Sequence, residues 1–485
     1  MATLLTSATF RSTLASGQPN ALGKVYTYAA GTLTPQATYT TQAGDVANTN
    51  PVILGADGCA QVWMDSSLSY RIIEKTAADA TIRDVDSLRD ASEAVATLEQ
   101  EDVVLERFYL STDNGKWDNA FTRAYATGAK RIVVLGDAQQ VYDFENTISI
   151  NRNQVTVETA HPFGATFNLE GSDQYLFDIG NATSMIHEVY LNNLVFTRDS
   201  AAGSGAVARL RNVFFWGMRK TRSYMDNKFW RGLELYSVGN GRCYDNLTEN
   251  PIREHVYMSG GSGVAGVADG LTIQNIWKLH EAAGGHAVTA SPSAQGAFLL
   301  DDHCQATWIH DLLCYAHKGY AVYGKGTLAN RARNSLNLVR NLNVEATLTN
   351  SGAFRMDNYV SNQISEGWVS GNGIPAIMLT ENSQSNKVSV DQVGIISAGG
   401  YAIEDGGTNN IISETECVGY DAAAAGGIKL ASTVVTPIVR DIRVAQTVYG
   451  IDSAAGSSAG VTIDGFKFKT ISGAPFNGLS GAGTA

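Results

Sequence analysis

The sequence predicts an all-β protein: a right-handed parallel β-helix solenoid, preceded by a small N-terminal β domain and a short helical neck. The first observation is a recurring pair of a small residue and an apolar one: Ala297-Phe298, Ala321-Val322, Ala353-Phe354, Ala376-Ile377, Ala402-Ile403, Gly427-Ile428 and Gly450-Ile451. The apolar members stand 23 to 32 residues apart, a period that marks a solenoid. The second observation is an alternating run about ten residues after each pair: TWIHDLL, NSLNLVRNL, NQISEGWV, NKVSVDQV, NIISETECV, PIVRDIRV and VTIDGFKF. The third is composition: 49 Gly supply turns, and only 17% of residues are charged, below the roughly 25% usual for globular domains.

Leucine-rich repeats share this period but need Leu at many fixed positions, which these rungs lack. Period-2 alternation, β-branched residues and Gly/Asn turns instead give two or three short strands per coil. One coil cannot bury its inward face alone, whereas stacked coils can. The apolar residue of each pair is therefore expected inside, with Phe298, Val322, Phe354, Ile377, Ile403, Ile428 and Ile451 in one column.

In chain order, residues 1–87 alternate like strands, with a hairpin signal at Asp57-Gly58. Residues 88–112, LRDASEAVATLEQEDVVLERFYL and its flank, have helical propensity and read as the neck. The solenoid is expected over 113–475. It opens with DNGKWDNAFTRAYATGAKRIVVLG, where Trp117, Phe121, Ala124 and Tyr125 fall on one helical face. Such a helix would cover the exposed core of the first coil. Stretches around Leu233 and Leu271 read as longer, less regular coils. Residues 476–485 read as a Gly-rich tail.

The net charge is 35 − 47 = −12. That field repels phosphate backbones and anionic lipid, which argues against nucleic acid or membrane surfaces as partners. A weakly charged surface rich in Asn, Ser, Thr and Gly suits hydroxyl-rich partners such as glycans. Five scattered cysteines form no disulfide framework and suit folding in a reducing cytosol. The N-terminus lacks a basic region followed by an apolar run, so no signal peptide is expected. No stretch reaches the ~18 apolar residues of a membrane span.

VYTYAAGTLTPQATYTTQAGDVANTNPVILGADG, followed by YRIIEKTAADATIRDVDSL, resembles the N-terminal virion-attachment domain of bacteriophage tailspike and tail-fibre proteins over roughly residues 20–88. From Asp113 onward, DNGKWDNAFTRAYATGAKRIVV resembles the capping helix and first coils of pectate-lyase-like β-helices. The resemblance implies a homotrimeric virion tail protein, made in the host cytoplasm and acting outside the host cell. It implies attachment to other tail proteins through residues 1–87 and contact with host surface polysaccharide along the β-helix. Some relatives cleave that glycan as glycosidases or lyases, and others only bind it. Tailspikes often end in a C-terminal trimerisation domain, and the sequence leaves no room for one after VTIDGFKF. Trimer contacts are then expected from the β-helix faces, the neck and the N-terminal domain.

Three functional classes stay open: a glycan depolymerase, a non-catalytic receptor-binding or structural tail protein, and a secreted polysaccharide lyase. The attachment-domain resemblance and the absent signal peptide argue against the third. Along the rungs, the residues flanking each inward position face outward. This puts Asp301 and Asp357 on one face, two rungs and about 9–10 Å apart. Inverting glycosidases hold their carboxyls ~6.5–9.5 Å apart around a water. Asp301 and Asp357 are thus the candidate acid and base, with Glu404 in reserve. Lys325 and Arg355 could orient hydroxyls or acidic groups, and Tyr323 or Tyr359 could stack on a sugar ring. Turn-forming or solvated carboxylates are the plainer explanation of the same residues.

A second group, Glu254, His255, Trp277, His280, Glu281 and His286, offers His–carboxylate neighbours for acid/base work, or simply surface loops. Cys304, His310, Cys314 and His317 are dense but match no zinc module. No metal or cofactor is expected.

Overall fold

The computed structural model describes residues 2–3, 9–14, 17–65, 68–88, 102–136, 140–161, 164–172, 174–200, 204–224, 228–249, 253–260, 275–280, 297–302, 304, 307–315, 319–329, 338–346, 349–420, 424–454 and 460–479. The chain separates into two compact units, Met1–Asp102 and Val103–Ala485.

Alternation in the first unit produces a four-stranded antiparallel sheet ordered Val52–Ile53, Lys24–Ala29, Tyr70–Lys75, Thr81–Leu88. Its apolar face packs as a small core of Val25, Val52, Leu54, Val62, Met64, Tyr70 and Ile72. Asp57-Gly58 does make a tight turn: the Gly55 N–H reaches the Cys59 carbonyl at 2.8 Å, and Gly58 has φ +73°. It does not close a hairpin of its flanking strands. Cys59–Ala60 pairs with Phe10–Arg11, while Val52–Ile53 pairs with Lys24–Ala29.

The second unit is a parallel β-solenoid. One sheet, here sheet I, stacks thirteen strands from Ile148–Ile150 to Phe476–Asn477. In it Phe298, Val322, Phe354, Ile377, Ile403, Ile428 and Ile451 are register partners in that order. All seven are fully buried, as the repeat requires. The column continues upstream through Val256, Leu233, Ala208 and Phe177 to Ile148, and downstream to Phe476. The small residue before each apolar one is also buried, and at Gly427 and Gly450 a Cβ would run into the Val444 and Phe468 side chains of sheet II.

The second alternating runs form sheet II, which bends around a corner. Asp311, Asn341, Glu366, Glu414 and Asp441 sit mid-strand with φ between 52° and 61°. Register partners on either side align them along the axis. Asn and Asp enter this left-handed region most readily among side-chain-bearing residues. One strand thereby serves two sides of the coil. At the turn before this sheet, Asn362, Asn386 and Asn410 are buried and linked in series. The Asn362 amide donates to Asn386 Oδ1 at 2.8 Å, and the Asn386 amide to Asn410 Oδ1 at 3.1 Å. Each amide satisfies backbone and side-chain groups that would otherwise be orphaned inside.

Asp405 terminates that series, accepting from the Asn410 amide at 2.8 Å and from the Gly407 N–H at 2.9 Å, both on Oδ1. Its Oδ2 is buried without a hydrogen-bond partner. Burial raises its carboxyl above the ordinary range, opposed by the two hydrogen bonds. A raised carboxyl binds its proton more tightly folded than unfolded, so its contribution to stability falls as pH rises from about 4 through the folded-state value. Asp405→Asn is therefore expected to gain stability relative to the native chain as pH climbs from 4 to 7. Parallel pH profiles of the melting temperatures would refute this.

A single α-helix among the described residues, Asp118–Ala126, covers the start of the solenoid. Trp117, Ala120, Phe121 and Ala124 are buried. Trp117 lies 4.6 Å from Tyr142 and Phe121 6.4 Å from Phe144, ring to ring. The expected helical neck is not helical where it is described. Asp102–Val104 is a strand and Leu105–Phe108 a 3-10 turn. Here β-branched Val103 and Val104, with fully buried Leu105 beside them, override the helical propensity of the surrounding residues. Residues 89–101 of that neck lie outside the described residues.

Candidate functional site

The outward side chains of sheet I form columns along the axis, because register repeats at every rung. One column runs Asp178, Arg209, Glu234, Tyr257, Leu299, Tyr323, Arg355, Met378, Glu404, Lys429. Two residues further along the strands lies a second, with Arg211 beside Tyr236 and Lys325 beside Asp357. Asp301 follows directly on the pair Leu300 and Gly324, which puts it on the rung before Lys325.

Asp301 and Asp357 thus lie two rungs apart with exposed Lys325 between them. Neither is a bare carboxylate. Asp301 accepts the Tyr257 hydroxyl at 2.8 Å and the Asp302 N–H at 3.0 Å. Asp357 accepts the Tyr323 hydroxyl and a two-pronged Arg355 contact, Nε at 3.0 Å and Nη2 at 2.8 Å. Burial pushes the Tyr257 and Tyr323 hydroxyls well above their ordinary range, and the neighbouring carboxylates add to it. Both remain protonated donors at neutral pH. Glu404 lies in the Arg355 column, one rung beyond Met378, and pairs with Lys429 at 3.0 Å.

The aromatic expectations change. Tyr359 is fully buried, and its hydroxyl reaches the Leu300 and Asp301 carbonyls at 3.0 and 2.9 Å. It braces the Asp301 turn from within and offers no ring face to a sugar. Tyr323 does face outward, but only 8% of it is exposed, because it packs with Leu299 and Tyr320 in an apolar cluster on the sheet. Arg355 lies over its ring at 5.0 Å.

The second group does not assemble as its sequence spacing suggested. Glu254 is fully buried beside sheet I, whereas Trp277 and His280 belong to Asn275–His280 of sheet II. Glu281 and His286 lie outside the described residues, as does His317. Cys304 and Cys314 are buried, and burial pushes the Cys304 thiol up to about 12. His310 meets Asp311 at 2.9 Å. Among the described residues, no three potential ligands are grouped to hold a metal.

Sequence reasoning missed the upstream part of the face. Arg209 forks onto Asp178 at 3.0 and 2.8 Å, and Arg211 reaches the same carboxylate at 2.9 Å. Arg231 bridges Glu234 at 2.8 Å and Glu254 at 2.6 Å, and Arg253 meets Glu254 at 3.1 Å. The Tyr175 hydroxyl donates to Glu234 at 3.1 Å. Arg209 stacks over Tyr175 at 4.0 Å and Arg231 over Tyr257 at 4.3 Å. The outcome is a wall of fixed guanidinium, carboxylate and phenol groups, suited to hydrogen-bonding a hydroxyl-rich polymer lying along the axis.

No family model matches the chain, and no curated protein matches it. Solved structures similar to it include the Streptococcus pneumoniae surface adhesin PfbA, at TM-score 0.49 and 10% identity over 77% of this chain and 91% of that one. The catalytic domain of a GH87 alpha-1,3-glucanase in complex with nigerose follows at 0.45 and 10%, over 94% and 86%. Tailspike protein 3 of bacteriophage CBA120 gives 0.35 and 12%, over 82% and 64%. At such identities and TM-scores, no residue's role in this chain rests on these likenesses.

Proposed function

We propose that this protein is a bacteriophage tail protein that binds a host surface polysaccharide along the outer face of sheet I. The N-terminal unit joins it to the virion, and the chain works as a homotrimer. The observation that carries the reading is the run of outward Tyr, Arg, Asp and Glu side chains in register over successive rungs, held by mutual hydrogen bonds. Polar groups fixed in advance lose little entropy when a sugar hydroxyl replaces water on them. The tailspike-like wording of residues 20–88 supports the virion half of the reading. Cleavage is a second reading, favoured by Asp301 and Asp357 standing two rungs apart with Lys325 between them.

Incubating the purified chain with host surface polysaccharide, then measuring retention and product size, tests both. Retention without shortening is expected if the face only binds, and no retention sinks the proposal. If products shorten, Asp301→Asn or Asp357→Asn should each slow cleavage by ~100-fold or more. A rate within a few-fold of the native one removes that residue from the chemistry. Light scattering should give three chains per particle.

A further inference from the structure

The upstream rungs of sheet I have an electrostatic character opposite to that of the whole chain. Between Tyr175 and Ser259 this part of the solenoid sets Arg209, Arg211, Arg231 and Arg253 against Asp178 and the buried Glu234 and Glu254, four cations to three anions. The chain as a whole carries −12. Arg231 and Arg253 are spent on the two glutamates. Arg209 and Arg211 share one carboxylate, that of Asp178, so this trio keeps a positive charge.

Their donors are unevenly used. Arg209 gives Nε and Nη2 to Asp178 and lies over Tyr175, which fixes its plane. Arg211 gives only Nη2 to Asp178. The Arg211 Nε–H is buried without a hydrogen-bond partner, a costly state for a charged donor. The side chains of Arg209 and Arg211 nevertheless remain 23% and 26% exposed. The exposed edges of the two guanidinium groups, side by side and sharing one carboxylate, match an oxyanion with two acceptor oxygens.

We propose that Arg209 and Arg211, oriented by Asp178, form an anion subsite that takes the carboxylate or phosphate of an acidic sugar residue. This rests on the polysaccharide-binding reading above and narrows it to an acidic glycan. The partner is thereby distinguished from a neutral glucan, which would leave the surplus positive charge of the trio unanswered. Tyr236, the rung neighbour of Arg211, flanks the site and is half-buried.

The test uses the full chain and three small probes: glucuronate, glucose 6-phosphate and glucose, titrated while the arginine Nε–H resonances are followed by NMR. Saturable shifts with glucuronate, and none with glucose, are expected. Arg211→Gln should weaken the anion at least tenfold while the far-ultraviolet circular dichroism and melting temperature stay native. Arg209→Gln, which also loosens Asp178, serves as the second variant. Saturation by glucose 6-phosphate alone assigns the subsite to a phosphate-bearing glycan. If neither anion binds, or if Arg211→Gln binds them as the native chain does, the subsite is refuted. Retention of host polysaccharide by that same variant, undiminished, would sink the subsite and leave the broader binding reading standing. Absence of retention by the native chain would sink the broader reading instead.

Discussion

Phe354→Ala is expected to destabilise the solenoid by about 3–5 kcal/mol, the range for removing a fully buried aromatic ring. Phe354 has no exposed surface and sits in register between Val322 and Ile377, with Met356 buried two residues along the same strand. Its neighbours cannot close the space. Each is held by a parallel ladder whose rung spacing is fixed by backbone hydrogen bonds, so the cavity persists and its cost is near the upper end. Coils interact mainly with the coils next to them. Loss of hydrogen-exchange protection should therefore begin around strands Gly319–Lys325 and Ile377–Leu379 and spread outward. Phe476→Ala, at the half-buried last rung, should cost far less. A urea midpoint for Phe354→Ala within ~1 kcal/mol of the native chain would mean that the column is not a packed core.

The same column shows why some of the fold was legible and some was not. From Phe298 to Ile451 every rung places Ala or Gly before the inward apolar residue, so the repeat is visible as a pattern of letters. Upstream, that position holds Leu176, Val207, Gly232 and His255, and the pattern breaks although the register does not. Leu176, Val207 and His255 are larger there, although Gly232 keeps the pattern, so the coils differ locally while stacking in the same way. The Asp178–Arg209–Arg211 trio and the Glu234 network were hidden for that reason: the coil around Leu233 was legible, but its register with Phe177 and Ala208 was not. Tyr359 failed differently. Alternation assigns in and out within a strand, but Tyr359 follows the strand Ser351–Asp357, where the chain turns and the period-2 rule no longer holds. The corner column of Asp311, Asn341, Glu366, Glu414 and Asp441 left only a weak mark, because Glu is an uncommon choice for positive φ.

Glu254→Gln should cost about 3 kcal/mol or more, although it removes no atom from the packing. Glu254 is fully buried, and its carboxylate meets both Arg231 and Arg253. The substitution leaves two guanidinium groups with Glu234 as their one remaining buried counter-charge. Burial opposes the charge on Arg231, while the carboxylates of Glu254 and then Glu234 sustain it. An amide keeps the hydrogen-bonding shape on one side but turns donors toward donors on the other. Because the groups are shielded from solvent, the loss should be nearly the same at 0.05 and 0.5 M salt, unlike that of a surface pair. The companion change, Glu254→Leu and Glu234→Gln with Arg231→Met, removes Arg231 together with both carboxylates paired to it and should recover much of the loss, since paired buried charges repay little beyond their own desolvation. Arg253, at the edge and 26% exposed, can then turn to water. A triple variant less stable than Glu254→Gln would show that the ion-paired cluster itself holds the rung together. A single variant indistinguishable from the native chain in urea would show that water already reaches Glu254.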